Sequence, residues 1–150
     1  MEAVIFMGLQ GAGKSTFFKE RFFDTHLRLS LDLLKTRHRE RLFLRACVDS
    51  GLRFVVDNTN PTRAERQVYI QQAKAEAFRV VGYYFQSRVE DCKRRNEQRP
   101  SARQVPLRGI LGTAGRMELP SVDEGFDELR YVRIGEVGGF EVEDWRDADG

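Results

Sequence analysis

Cysteine is nearly absent from this chain: there are two in 150 residues, Cys47 and Cys92. Two thiols without metal-ligand spacing exclude a zinc-type cluster and a disulfide-stapled scaffold, so both are expected to be reduced and structural. Long apolar runs are also missing. The first, Ala3-Val4-Ile5-Phe6-Met7, is five residues long, and no stretch approaches the roughly 20 residues that cross a bilayer. Glu2 follows Met1 with no secretory leader pattern, so a soluble cytoplasmic protein without membrane contact is expected. No internal repeat is visible. What remains is one ordinary domain's length with 41% hydrophobic residues, enough for a single core.

The net charge of +2 is unevenly spread. Residues 117–150 hold eleven acidic and three basic residues, net −8, which leaves +10 on the first 116. Two basic concentrations account for much of this, Lys35 to Arg41 with Arg45, and Arg88 to Arg116. Such a body suits an anionic partner, and solvated helix faces are the plain alternative.

The most specific feature is Gly8-Leu9-Gln10-Gly11-Ala12-Gly13-Lys14-Ser15, which fits the phosphate loop G-x-x-x-x-G-K-[ST] at every specified position. An apolar run precedes it and a helical pattern from Lys14 follows. In that context the loop amides and the helix N-terminus cradle phosphates, Lys14 reaches the β/γ oxygens, and Ser15 holds Mg²⁺. The expected ATP-binding segment is therefore Gly8, Leu9, Gln10, Gly11, Ala12, Gly13, Lys14, Ser15 and Thr16.

Strand candidates are Ala3 to Met7, Arg28 to Ser30, Phe54 to Val56, Val80 to Phe85 and Tyr131 to Ile134. Helices are expected over Lys14 to Phe22, Asp32 to Ser50, Pro61 to Ala77 and Arg88 to Arg99. Ser30, Asn60 with Pro61, and Ser87 in a capping box provide three of the starts, and Pro100 ends the fourth helix. That alternation predicts an α/β fold, a parallel sheet sandwiched by helices. Residues 1–134 form the expected domain, with an acidic C-terminal tail over 135–150 that only Phe140, Val142 and Trp145 could anchor. From Pro100 to Pro120, Pro106, Gly109, Gly112 and Gly115 should interrupt any long helix, giving a mobile basic cover and then a short helix. The lid spans about 95–116.

Two carboxylates close strands. Asp32, after Leu29-Ser30-Leu31, is positioned to orient an acceptor hydroxyl and take its proton; Asp57, after Phe54-Val55-Val56, can bond Ser15 or a Mg²⁺-bound water. As plain alternatives, Asp32 is a first-turn helix charge and Asp57 a turn aspartate. Arg95 and Arg99 lie four apart on one expected helix face before the cover, where closure would bring two guanidinium groups over a transferring phosphoryl. Surface arginines are the alternative.

Together, the loop, Asp32, Val55-Val56-Asp57-Asn58-Thr59-Asn60-Pro61, Lys93-Arg94-Arg95-Asn96-Glu97-Gln98-Arg99 with Val105-Pro106, and Glu124-Gly125-Phe126-Asp127 resemble the kinase domain of the polynucleotide 5′-hydroxyl kinase family over residues 3–134. The resemblance implies a P-loop kinase fold with a basic helical lid, ATP and Mg²⁺, and a 5′-hydroxyl DNA or RNA end as acceptor, in end healing and repair. It implies Asp32 as general base and Arg95 and Arg99 as contacts to ATP phosphates. Lys35 stands where several relatives have an arginine beside the acceptor phosphate, and Ser30-Leu31 replace an Asn-Arg pair; lysine supplies charge without the bidentate fork. Relatives often carry phosphatase or ligase modules, so fusion to or association with one is a further expectation. Lys35, Arg37 and Arg41 are the expected acceptor contacts, because Arg37, Arg41 and Arg45 repel one another at i, i+4 spacing until a phosphate backbone relieves them. A P-loop kinase for a small hydroxyl acceptor (sugar, nucleoside or antibiotic) and a non-catalytic nucleotide switch are the competing readings.

Overall fold

The computed structural model describes residues 1–146. The short apolar runs become strands because each can be buried on both faces. Strands β1 (Glu2–Met7), β2 (Leu27–Leu29), β3 (Phe54–Val56), β4 (Arg79–Phe85) and β5 (Glu128–Ile134) are parallel, and β6 (Phe140–Asp144) pairs antiparallel with β5. Their spatial order is β2-β3-β1-β4-β5-β6. The chain winds to one side of β1 and then to the other, so the loop after β1 lies where the winding reverses, the usual ligand crevice of an open α/β sheet.

Six helices cover the sheet: α1 (Lys14–Arg21), α2 (Leu31–Leu34), α3 (Arg37–Ser50), α4 (Arg63–Ala75), α5 (Val89–Glu97) and α6 (Leu107–Arg116). Alternation along β1 divides the core. Ala3, Ile5 and Met7 pack against Leu44 and Val48 of α3 and Tyr69, Ile70 and Ala73 of α4. Val4 and Phe6 face the other way, onto Phe17 and Phe18 of α1, Cys92 of α5 and Ile110 of α6. Phe6, Phe17 and Phe85 meet edge to face with centroids 5.0 to 5.8 Å apart, which fixes α1, and with it the loop, against the sheet. Both cysteines are buried and unbridged. Among the described residues no helix is long and apolar enough to cross a membrane.

Several boundaries differ from expectation for identifiable reasons. The helix expected from Asp32 to Ser50 is broken: Lys35 adopts φ 75°, and Thr36 starts α3 by accepting a bond from Arg39 N at 3.1 Å. Thr62, not Asn60, caps α4, through Glu65 N at 3.2 Å. Asn60 turns its amide inward instead, to Phe6 O at 2.7 Å. Ser30 sits at the N-cap of α2 without a side-chain bond, and Arg88 rather than Ser87 precedes α5.

The segment expected as a mobile cover is folded. Asn96 clasps Val105 in both directions, Nδ2 to O at 2.7 Å and N to Oδ1 at 2.9 Å. Helix α6 runs through Gly109, Gly112 and Gly115 because buried Ile110 and Thr113 offset the helix cost of about 1 kcal/mol per glycine. The acidic C-terminal stretch supplies β6, and Phe140 reaches Phe17 at 5.1 Å while Trp145 packs on Tyr84 at 5.3 Å. Residues 147–150 of that stretch lie outside the described residues.

Candidate functional site

Parallel strands deliver the turns after β1, β2, β3 and β4 to one edge of the sheet, and the site is built there. The loop after β1 is seated by Gly8 N to Thr59 O at 3.0 Å and Leu9 N to Ser87 Oγ at 3.0 Å. Ser87 thus anchors the phosphate loop and does not cap a helix. Gly11 is required twice over: its φ is 84°, and a Cβ there would lie 2.5 Å from the Cys92 carbonyl. Gly13, at φ 98°, is the N-cap of α1 and offers no side-chain cap, and no acidic residue occupies the first turn. The first-turn amides and the positive end of the helix dipole therefore face an uncompensated anion position.

Lys14 is buried and curls back, Nζ donating to Gly8 O at 2.8 Å and Leu9 O at 2.7 Å. Burial pushes its pKa down to about 8, against the opposing pull of Asp57. Ser15 Oγ donates to Asp57 Oδ2 at 3.1 Å, joining the hydroxyl and carboxylate that the sequence paired. Arg28 of β2 joins them, Nε at 2.9 Å from the same Asp57 oxygen and Nη2 at 3.0 Å from Ser15 Oγ. Sequence reasoning missed Arg28. Its signal was a lone charge between Leu27 and Leu29 in an otherwise apolar strand.

Asp32 lies in α2, exposed, with no hydrogen bond or ion pair, and its charge is felt by Lys14. This helix has four residues, none of them fully buried, and is placed by the partly buried Leu34 packed on the core together with ties from outside. Asn58 supplies one: its Oδ1 accepts from Leu31 N at 2.9 Å and its Nδ2 donates to Glu40 Oε2 at 2.8 Å. Glu40 is buried on α3, where Tyr69 Oη at 2.8 Å and Arg37 Nη1 at 3.0 Å donate to its other oxygen. Burial and the Glu40 charge push the Tyr69 hydroxyl pKa up. No periodicity in the sequence marked Glu40 or Tyr69 as site support.

The D-N-T-N-P turn is held from beneath. Fully buried Arg66 donates to Asn60 O at 3.0 Å and pairs with Glu124 at 2.8 Å. Glu124 and Asp127, from the Glu124-Gly125-Phe126-Asp127 element, therefore act on the scaffold: Asp127 accepts from Val80 N at 2.8 Å.

On the other side of the loop, Arg95 Nη1 donates to Gly11 O at 3.2 Å. Arg99 lies past the end of α5 and, with Arg95, Gly11, Gly13, Thr16 and Phe140, lines a cavity of about 370 Å³. Arg95 thus bonds the loop, and Arg99 faces the same cavity. Gln10 ties the loop to α6 through Thr113 at 3.1 Å.

The basic face is more neutralised than its spacing implied. Arg37 is held by Glu40 and Tyr69, and Arg45 pairs with Asp49. Their i, i+4 repulsion is relieved within the protein, which weakens that argument for a polyanion. Lys35 and Arg41 stay exposed, with no ion pair.

A family model described as an AAA domain, AAA_33, matches residues 4–120. The chain belongs to the AAA_33 family. This AAA_33 chain is also 27% identical over 138 residues to a bifunctional polynucleotide phosphatase/kinase of Schizosaccharomyces pombe, covering 87% of this chain and 33% of that protein. It thus spans about a third of the length of that relative. Among solved structures it resembles Chaetomium thermophilum Kti12 in complex with ADP-AlF3, with a TM-score of 0.68 and 17% identity over 90% of this chain and 92% of the other. It also resembles a sugar kinase from Janibacter sp. HTCC2649, with a TM-score of 0.67 and 18% identity over 87% and 85%. The α/β P-loop kinase fold expected from the sequence is the fold observed.

Proposed function

We propose that this domain transfers the γ-phosphoryl group of ATP to a hydroxyl acceptor, and that the acceptor is the 5′-hydroxyl end of DNA or RNA. The observation that carries the reaction class is Asp32, an exposed carboxylate with no hydrogen-bond or ion-pair partner among the described residues, within electrostatic reach of the phosphate-loop lysine. A nucleotide switch has no use for such a group. Asp32 accepts the acceptor proton late in a loose transition state; the acceptor oxygen–phosphorus bond forms as the bridging bond of ATP breaks, and ADP leaves. Lys14 swings from its own loop carbonyls to the β/γ oxygens, and Arg95 and Arg99 stabilise the charge on the equatorial oxygens.

The hard oxygen donors of Ser15 and Asp57, side by side at the start of α1, fit Mg²⁺. Ser15 would hold it directly and Asp57 through water. Bound there, Mg²⁺ would neutralise charge between the β- and γ-phosphates. Among the described residues no cluster of three or more His, Cys, Asp or Glu side chains could hold a metal ion.

For the polynucleotide acceptor, support comes from the kinase relative and from exposed Lys35 and Arg41, three and nine positions after Asp32. A small hydroxyl acceptor is the second reading, favoured by the internal pairing of Arg37 and Arg45. Cytoplasmic location and association with phosphatase or ligase modules belong to the first reading. Labelled ATP offered with 5′-hydroxyl oligonucleotides, nucleosides and sugars separates the two. Transfer to oligonucleotides at a kcat/KM well above that for a bare nucleoside supports the polymer; equal values refute it. Asp32→Asn should abolish transfer to every acceptor while leaving ATP affinity within a few-fold.

A further inference from the structure

Arg28 is a cation lodged on the two side chains that would hold another cation. Its strand position, opposite Val55 of β3, aims it across the face that α1 covers, and its guanidinium passes over the Phe18 ring with 5.9 Å to the centroid. From there Nε and Nη2 take Asp57 Oδ2 and Ser15 Oγ at 2.9 and 3.0 Å, while Ser15 donates to that same Asp57 oxygen at 3.1 Å. The Asp57 side chain is almost fully buried, whereas that of Arg28 retains 28% exposure. One partner is thus fixed and the other has somewhere to go.

A divalent ion needs lone pairs of these same oxygens. Holding it with the guanidinium in place would put three positive charges around one carboxylate, and one Ser15 lone pair is already taken by Nη2. We infer that Arg28 is the resident counter-cation of the metal position: it holds Ser15 and Asp57 together when no metal is present and is displaced when a divalent ion arrives with nucleotide, so that it sets the affinity for the ion. This rests on the Mg²⁺-nucleotide reading proposed above. Arg28 is a positioning residue here, acting through Ser15 and Asp57.

The test measures Mn²⁺ binding to the ADP-loaded protein by electron paramagnetic resonance, without turnover. Arg28→Met keeps the cover over Phe18 and removes the charge; its Mn²⁺ affinity should rise about tenfold or more, the effect of a unit charge removed from a few ångströms away. Arg28→Lys keeps the charge and should stay within about threefold of the native protein. Equal or weaker Mn²⁺ binding by Arg28→Met overturns the inference while leaving the Mg²⁺-nucleotide reading standing. Failure of both proteins to bind Mn²⁺ with ADP overturns both. Should Arg28→Met not fold, the native protein decides: the Arg28 Nε–H resonance should lose its protection when Mg²⁺ is added to the ADP complex, and an unchanged, protected signal refutes displacement.

Discussion

Asn58→Ala removes the strut that ties the candidate base to the rest of the protein. Three bonds disappear, the weakest being Nδ2 to Tyr69 Oη at 3.5 Å. Leu31 N loses its acceptor at the start of α2, and the buried Glu40 carboxylate loses a donor at 2.8 Å while keeping Tyr69 and Arg37 on its other oxygen. A neutral bond is worth about 1 kcal/mol and a bond to a buried charge about 1.5–3, so the non-additive total should be about 2–3 kcal/mol. For a chain of this size that lowers Tm by about 4–10 °C. The effect should reach activity as well, because once Leu31 is released only the partly buried Leu34 holds α2, and with it Asp32, against the core. At a temperature where both proteins remain folded, kcat should fall about tenfold while the KM for ATP hardly changes, since the phosphate loop makes no bond to Asn58. The assay is a thermal melt paired with steady-state transfer at saturating ATP. A variant that melts within 1 °C of the native protein would refute the energetic reasoning, and one that is destabilised but keeps full kcat would refute the positioning role.

Lys14, with its pKa held near 8 by burial, should be recharged by nucleotide phosphates, so ATP binding in EDTA should take up protons above pH 8 and weaken as pH climbs towards 10. Buffer-dependent calorimetry reads that uptake, and pH-independent affinity across this window would refute it. For folding the sign is opposite: the burial penalty on Lys14 is fully present below pH 8 and is relieved between there and the unfolded value of 10.5, so its contribution to stability rises with pH. Lys35→Gly should raise Tm by about 2–4 °C, since a non-glycine residue at φ 75° costs about 1–3 kcal/mol and glycine's added chain entropy takes back less than 1. The same change should weaken oligonucleotide binding and leave ATP binding alone; an unchanged or lower Tm refutes the strain argument. Arg95→Ala and Arg99→Ala should each lower kcat by roughly 10²-fold through lost charge stabilisation, and full rates in both would remove the arginines from the mechanism.

How much of this was legible depended on the range of the interaction involved. The strands were legible because Phe54-Val55-Val56 and its counterparts are short apolar runs that only a doubly covered sheet can bury. The phosphate loop was legible because Gly11 and Gly13 are demanded by backbone geometry within a few residues of Lys14. The break at Lys35 was not: propensity alone continues a helix through Lys35, whereas Thr36 caps a new helix through Arg39 N and Leu31 is held by Asn58, 27 positions away. The three glycines of α6 misled in the opposite direction, since tertiary burial of Ile110 outweighed their local cost.

Side chains that meet across the fold followed the same rule. Asp57 and Ser15 were pairable on paper because strand ends and phosphate loops converge at one sheet edge, whereas Arg28, Glu40 and Tyr69 are separated from their partners by 13 to 29 positions with no local pattern to announce them. That difference bears on the acceptor. The argument from stacked arginines on α3 counted charges along one helix and missed that Glu40 and Asp49 sit one turn away from Arg37 and Arg45, close enough to neutralise them. Of the three expected acceptor contacts, Lys35 at a strained turn and Arg41 on an exposed face have no ion pair among the described residues. A polyanion held by two point charges should show a shallow salt dependence, with a log–log slope of about −1.4 for two single-strand contacts. A slope of about −2.8 would mean two further phosphate contacts, for which exposed Arg103 and Arg108 are available, and a slope near zero would shift the acceptor to a small, uncharged alcohol.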